Sequence, residues 1–334
     1  TVRSAERARD IGFEWLQLHF AHGYLAQNFW SRYSNSRTDQ YGGSAENRGR
    51  YLLETLIAVR KVWPERLPLA IRFGVAEFDE NDEQMLAESS ADCVVLATPS
   101  GLHARQVIDA AQAGLHVMTE KPMATRWADG LAMVKACDEA RVRLFVVKQN
   151  RRNRTLQLLR QALQAGRFGR LYMVTVNVFW SRPQSYYDSA AWRGTWEFDG
   201  GAFMNQASHY IDLLDWLVGP VESVMAYTGT LARHIEVEDT GVAALRWRNG
   251  AMGSVNVTML THPKNLEGSI TVLGEHGSVR IGGVAVNKIE HWEFAEPHAM
   301  DAGLDDASYQ TTSVYGHGHP LYYDNVIRTL RGEC

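Results

Sequence analysis

The chain has 334 residues, a formal net charge of −4, 22% charged and 45% hydrophobic residues. That length supports more than one buried core, and the slight acidic excess excludes the basic footprint of a nucleic-acid binder. No apolar run reaches membrane-spanning length and the opening TVRSAERARD lacks the apolar region of a signal peptide, so a cytoplasmic protein without a membrane partner is expected.

The three cysteines, Cys93, Cys137 and Cys334, are scattered and odd in number, which argues against a disulfide framework. The chain opens inside a helical pattern without methionine. It stops at Arg331-Gly332-Glu333-Cys334 with no closing element in sight, so both ends read as cuts. Phe13–Leu18 predicts a strand ending at His19-Phe20-Ala21-His22-Gly23-Tyr24. After a long polar and aromatic stretch, Ser44–Asn47 starts a helix marked by Tyr51, Leu52, Leu56, Val59 and Val62, and Leu69–Phe73 is the next strand. His19 and His22 lack a third ligand at a matching spacing, so no metal site is expected.

As a string, HFAHGYLAQNFWSRYSNSRTDQYGGSAENRGRYLLE resembles the old yellow enzyme family of flavin-dependent reductases. The resemblance implies that His19 and His22 hold a substrate carbonyl over the flavin. It makes Tyr24 the proton donor to a reduced alkene and puts Arg72 against the flavin. It covers only about a quarter of a (β/α)8 barrel, and two strands cannot close one. Residues 1–89 are therefore expected to be a fragment of a TIM-barrel type with a vestigial site and no bound FMN. A helix near Asp82–Ser89 would let strands 13–18, 69–73 and 92–98 line up in one parallel sheet.

Cys93–Ala97 is a continuous apolar run, as in a parallel strand buried on both faces. It stops at Thr98-Pro99-Ser100-Gly101. A helix follows with Val107, Ile108 and Ala111 on one face and Gly114 at the position of a terminating glycine. His116–Thr119 then delivers Glu120-Lys121-Pro122. A helix over Trp127–Ala140 precedes a third strand, Leu144–Val147, which ends at Lys148-Gln149-Asn150-Arg151. Three strand ends in register, at Thr98/Ser100, Glu120/Lys121 and Gln149/Asn150, outline a crevice of the kind that holds ligands in parallel sheets.

The string ATPSGLH followed by EKP resembles the glucose–fructose oxidoreductase/inositol dehydrogenase family (Gfo/Idh/MocA), over about Glu83 to the C-terminus. In that family the EKP lysine lies between nicotinamide and sugar. The resemblance implies NAD as cofactor, met by Thr98, Pro99, Ser100, His103, Glu120, Lys121 and Gln149. The dinucleotide fold normally opens on a strand and a G-x-G-x-x-G turn that cradles the pyrophosphate. No such turn occurs here: Gly42-Gly43, Gly200-Gly201 and Gly282-Gly283 lack the spacing, and Leu321 stands where Gly316-His317-Gly318 needs a third glycine. Cofactor binding and turnover are therefore in question. The two resemblances meet near Met85–Ser89, each cut inside a domain, which reads as the junction of a chimera.

Beyond a helix at Asn153–Gly166, Leu171–Trp180 alternates as a half-buried strand. A helix at Phe203–Val218 and strands at 221–230, 238–248, 251–260, 269–274 and 278–281 follow, an antiparallel sheet with helices on one face. Its uncovered face predicts a homo-oligomer joined sheet to sheet. His209 and Asp212 share a helix face after Asp199-Gly200-Gly201. The family resemblance places His209 beside the substrate hydroxyl opposite Lys121. These two are the catalytic candidates, with His209 accepting the proton as hydride leaves. The strings LFVVKQNRRNRTLQLLRQAL and WRGTWEFDGGAFMNQASHYIDLLDWL look like dehydrogenases that oxidise the 3-hydroxyl of UDP-N-acetylglucosaminuronic acid for polysaccharide synthesis. That implies a sugar-nucleotide substrate met by Asn150, Arg193 and Asp212, with Trp180, Tyr186, Tyr187 and Trp192 nearby. His317 and His319 read as loop residues of a glycine-rich tail.

The expected fold is α/β followed by α+β: a barrel fragment over 1–89, the C-terminal half of a Rossmann-like domain over 90–150, and a truncated substrate and oligomerisation domain over 151–334. The expected activity is NAD-dependent oxidation of a sugar-nucleotide hydroxyl. The rivals are a non-catalytic remnant that binds sugar nucleotide or only oligomerises, and an FMN-dependent ene-reductase.

Overall fold

The computed structural model describes residues 1–21, 24–32, 34–73, 91–311 and 313–333. His22, Cys334, the junction at Met85–Ser89 and the helix expected near Asp82–Ser89 lie outside these residues.

The first segment runs α1 (Val2–Asp10), β1 (Leu16–Phe20), α2 (Leu25–Trp30), α3 (Ala45–Val62) and β2 (Leu69–Phe73). The Ser44 hydroxyl caps α3 by accepting from the Asn47 amide at 3.2 Å. Leu52 and Val59, on one stripe of α3, bury against Leu18, Phe20 and Trp63 in a core of the segment's own. β1 begins later than the apolar pattern suggests because Gly12 (φ +90°) terminates α1 and the Phe13 amide returns to the Ala8 carbonyl at 3.0 Å.

β1 and β2 pair in parallel, with His19 opposite Arg72. Among the described residues they form a sheet separate from the next one. This overturns the expectation that strands 13–18, 69–73 and 92–98 share one parallel sheet. Each sheet buries its apolar residues against helices, α3 for the first and the helices His103–Gln112, Trp127–Glu139 and Gly318–Leu330 for the second, without the edges pairing. The first segment instead meets the C-terminal helix, where Trp15 stacks on Tyr323 at 5.4 Å.

β3 (Cys93–Leu96), β4 (His116–Thr119) and β5 (Leu144–Val146) form a parallel sheet in that order. α4 (His103–Gln112), closed by Gly114 at φ +81°, and α5 (Trp127–Glu139) cover one face through Val107, Met133 and Cys137. The other face is covered by the helix Gly318–Leu330, with Val326 against Met118 and Val147. The Tyr322 hydroxyl donates to the Val146 carbonyl at 2.6 Å. The tail is thus a helix that closes the parallel sheet, not the loop expected around His317 and His319. Pro320 sits in its first turn, where a missing amide leaves no bond unmade.

The remaining elements are α6 (Arg154–Gln164), β6 (Leu171–Phe179), α7 (Gln184–Asp188), α8 (Ser208–Val218), β7 (Val221–Gly229), β8 (Thr240–Trp247), β9 (Met252–Thr258), β10 (Glu267–Gly274), β11 (Gly277–Gly282), β12 (Lys288–Phe294) and that last helix, α9. The strands order as β12-β11-β10-β6-β9-β8-β7, antiparallel except for β6 against β9. Val174, Val176 and Val178 of β6 point at Leu156 and Leu159 of α6 and Leu213 and Leu214 of α8, the alternation the sequence shows. Among the described residues the opposite face is open. Across it Asn256 donates to Asn177 at 2.9 Å, and Met225 and Tyr227 on edge strand β7 are 80% and 83% exposed. β12 was not foreseen, because its charged residues break the apolar alternation. No helix among the described residues is long and apolar enough to cross a membrane.

Candidate active site

The carboxyl ends of β3, β4 and β5 converge as the parallel pattern requires. Two turns, Thr98–Gly101 and Glu120–Pro122, are fastened by His103, whose ring nitrogens lie 3.1 Å from the Thr98 carbonyl and 2.9 Å from the Pro122 carbonyl. The ring is 1% exposed and both nitrogens face main-chain oxygens, so neither remains for a cofactor. This corrects the sequence assignment of His103. The Thr98 hydroxyl donates to Gln106 at 2.6 Å and keeps its acceptor lone pairs.

Lys121 reaches across from the parallel sheet to the second domain. Its Nζ donates to the Asn205 carbonyl at 3.0 Å and to Asn205 Oδ1 at 2.7 Å. Asn205 lies in a π-helical turn, Ala202–Gln206, ahead of α8. Its amide nitrogen donates to Asp199, which also accepts from the Gly194 amide at 2.7 Å. Burial lowers the Lys121 ammonium to about 8; Glu120 and Asp199 oppose that shift, while the charges of Lys148 and Arg182 add to it. Asp199, 0% exposed, is pushed up by burial against the hydrogen bonds it accepts.

His209, on α8, is 5% exposed. Its Nε2 lies 3.2 Å from the Gln149 side-chain nitrogen, and Nδ1 is buried without a partner. With the amide donating to Nε2, the ring proton sits on Nδ1. Burial first, then the charges of Lys121, Lys148 and His319, hold this imidazole well below its usual range, so it is neutral throughout the physiological window. The side-chain oxygens of Gln149 and Asn150, 1% and 2% exposed, also lack partners.

Asp212 does not face this crevice as a free carboxylate: Arg151 takes both its oxygens, at 2.7 and 2.6 Å. That corrects its reading as a substrate contact. Arg193 stands near Asp199 with its guanidinium 4.3 Å from the Tyr186 ring. Trp180 and Tyr187 are core residues, 4% and 5% exposed. Pro99 and Ser100 border the crevice in the Thr98–Gly101 turn, Ser100 at 6% exposure.

In the first segment the structure does bring His19, Tyr24 and Arg72 together. The His19 and Tyr24 rings are 5.3 Å apart, and burial, then the charge of Arg72, lowers the His19 pKa. They sit at the end of an open two-stranded pair, with Tyr24 62% exposed.

Three residues of the crevice escaped sequence reasoning. Asn205 was quoted within its motif but given no role, Lys148 was read only as strand-end punctuation, and His319 was assigned to a loop. Proline in a first turn after glycine was the available signal for the α9 helix and hence for His319. Among the described residues no group is arranged to hold a metal ion.

The two domains meet tightly at Gly101. Its amide donates to the Phe198 carbonyl at 3.1 Å, and a Cβ there would lie 2.1 Å from the Glu197 carbonyl oxygen. Gly101→Ala should cost about 1–3 kcal/mol by overpacking, read as a lower urea midpoint with an unchanged slope. An unshifted midpoint would show that the domains do not rely on this contact.

Residues 160–334 match the oxidoreductase family's C-terminal alpha/beta domain, and residues 2–139 match the NADH:flavin oxidoreductase / NADH oxidase family. The WlbA dehydrogenase from Chromobacterium violaceum, solved with NADH and UDP-GlcNAcA, is 65% identical with a TM-score of 0.73, over 85% of this chain and 76% of that one. The WlbA dehydrogenase from Bordetella pertussis, also solved with NADH and UDP-GlcNAcA, is 72% identical with a TM-score of 0.70, over 75% and 72%. At the other end, the NADPH dehydrogenase of Clostridium acetobutylicum is 48% identical over 75 residues, and the chain spans only 22% of that protein's length. The chain belongs to the Gfo/Idh/MocA oxidoreductase family, whose C-terminal domain fills more than half of it.

Proposed function

We propose that this member of the Gfo/Idh/MocA family oxidises a secondary hydroxyl of a sugar nucleotide of the UDP-GlcNAcA class, with NAD as hydride acceptor. The observation that carries the reading is the convergence of Lys121, part-buried at the end of the parallel sheet, with the buried His209 of the second domain, whose imidazole feels the lysine's charge. Identity of 65% and 72% to the two WlbA dehydrogenases supports both the cofactor and the substrate class.

The roles follow from protonation. An alcohol losing hydride must also lose its hydroxyl proton. Lys121, at about 8, is partly neutral near physiological pH and is the better-matched acceptor. His209 is too weakly basic for that task. Its unpartnered Nδ1–H suits it to donate to the same oxygen and hold it in line with Lys121. This reverses the role the sequence suggested for the imidazole. Asn205 keeps the lysine on target until substrate replaces its bonds, and Gln149 fixes the imidazole tautomer.

The buried, unpartnered oxygens of Gln149 and Asn150 and the strand-end turn at Thr98–Ser100 fit a nicotinamide nucleotide at this crevice. NAD, when bound, supplies the hydride acceptor. The residues that would hold it are Thr98, Pro99, Ser100, Glu120 and Gln149. The glycine-rich pyrophosphate turn is not in the sequence, so its affinity rests on fewer contacts.

That gap favours a second reading, in which the chain binds the sugar nucleotide without oxidising it. The divisions at 1–89, 90–150 and 151–334 serve both readings, with α9 of the last part closing the sheet of the middle one. The open sheet face, with Met225, Tyr227, Val242 and Met252 exposed, supports self-association there. Flavin-dependent ene-reduction is the weakest alternative, since a two-stranded pair offers no barrel mouth.

A fluorescence titration with NADH, run beside calorimetry with UDP-GlcNAcA, separates the readings. Saturable NADH binding at micromolar concentration is the expected result. UDP-GlcNAcA heat without any NADH signal would leave the non-catalytic reading standing.

A further inference from the structure

Two arginines border the crevice without a counter-ion. Arg182 follows β6 past Trp180, and Arg193 lies in the loop after α7. Both guanidinium groups lie over the ring of Tyr186, Arg193 at 4.3 Å and Arg182 at 5.5 Å from its centre. Trp192 backs Arg193 at 4.6 Å and Trp180 backs Arg182 at 5.3 Å. Aromatic faces hold guanidinium planes in place while leaving their edges open to a ligand.

Neither arginine forms an ion pair among the described residues. Arg182 bonds only to neutral oxygens, the Ser181 carbonyl at 2.9 Å and Asn265 Oδ1 at 3.4 Å. Arg193 has a buried Nε with no hydrogen-bond partner among the described residues. The acid within electrostatic reach of Arg193 is Asp199, and its oxygens already accept from Gly194 and Asn205. Two cations held over one ring repel each other unless an anion joins them. Elsewhere in this domain arginines find carboxylates: Arg167 pairs with Asp301 at 2.6 Å and Arg280 with Glu267 at 2.6 Å. The missing acid at Arg182 and Arg193 is therefore local to the site. The charge of Arg182 is felt at Lys121, and that of Arg193 at Asp199 beside it, so the anion would be part of the molecule being oxidised.

We infer that Arg182 and Arg193, seated on Tyr186, clamp a carboxylate on the sugar and so select a sugar acid over the corresponding neutral sugar. The planar fork of a guanidinium matches the two oxygens of a carboxylate, and two such forks account for both arginines. The inference rests on the sugar-nucleotide reading above and adds Arg182 as a specificity-determining residue.

The test is calorimetric binding of UDP-GlcNAcA and UDP-GlcNAc to the full chain, with Arg182→Gln, Arg193→Gln and the charge-keeping Arg182→Lys. Wild type should prefer the acid by about tenfold or more, in the range of a charge-assisted pair. Each glutamine variant should lose most of that preference while keeping its affinity for UDP-GlcNAc, and Arg182→Lys should retain part of it. Equal wild-type affinity for the two probes would overturn the clamp and leave the sugar-nucleotide reading intact. A parallel loss for both probes in the glutamine variants would assign the arginines to the diphosphate and overturn the clamp as well. Failure of wild type to bind either probe would remove the sugar-nucleotide reading and the clamp with it.

Discussion

Lys121→Met should lower turnover by a factor of about 10³, within the span usual for a general base, without lowering the melting temperature. The two halves of that expectation have one cause. The lysine is part-buried, and loss of water is the largest influence on it. Methionine fills a similar volume and removes an ammonium from a desolvated place, so the fold is relieved as the chemistry is lost. The acid–base behaviour gives an independent reading. Because the folded-state pKa is depressed to about 8 from 10.5, the unfolded chain binds more protons between those values. Stability therefore rises with pH across that window, and the rise should be missing in the variant. Turnover in the oxidative direction should climb as pH passes about 8, where the neutral amine becomes the main form. A wild-type profile flat from pH 7 to 9 at saturating ligands would take the acceptor's role away from Lys121.

The second large effect is expected at His209. His209→Gln should reduce kcat by about 10², because the substituted amide is a poorer match to the line between Gln149 and the reacting oxygen. The pH limb near 8 should stay in place, since it belongs to Lys121 and not to an imidazole held far below its ordinary range. Loss of the limb in this variant would mean that His209 is the titrating group after all. Undiminished turnover would place the imidazole among the packing residues of α8. Glutamine is preferred to alanine here because His209 is 5% exposed, and an empty space at that depth would confound the kinetics with a cavity.

Much of the architecture is written in local pattern. β2 and β4 fall where the apolar runs place them, Leu69–Phe73 and His116–Thr119, because a short run between breakers has few other ways to bury itself. The Ser44 cap and the Gly114 terminus are likewise side-chain and backbone chemistry that acts within a few residues. Lys121 and His209 could be nominated from their strings alone. What those strings do not contain is which groups surround them in the fold, nor the burial that lowers the pKa of both. Protonation depends on how much water and which charges surround a group, and those neighbours come from three different elements. The same holds for Asp212, which only the folded chain commits to Arg151, and for His103, which only the folded chain turns inward. Pairing between sheets was also beyond local pattern. Strands 13–18 and 69–73 carry the right residues for a parallel sheet, but which edge they join is written in neither strand. Secondary structure and candidate residues were thus determined by the sequence by itself. Partnership, charge state and the unpaired arginines at the crevice were decided by tertiary packing, because each is a property of the space between elements and not of any one of them.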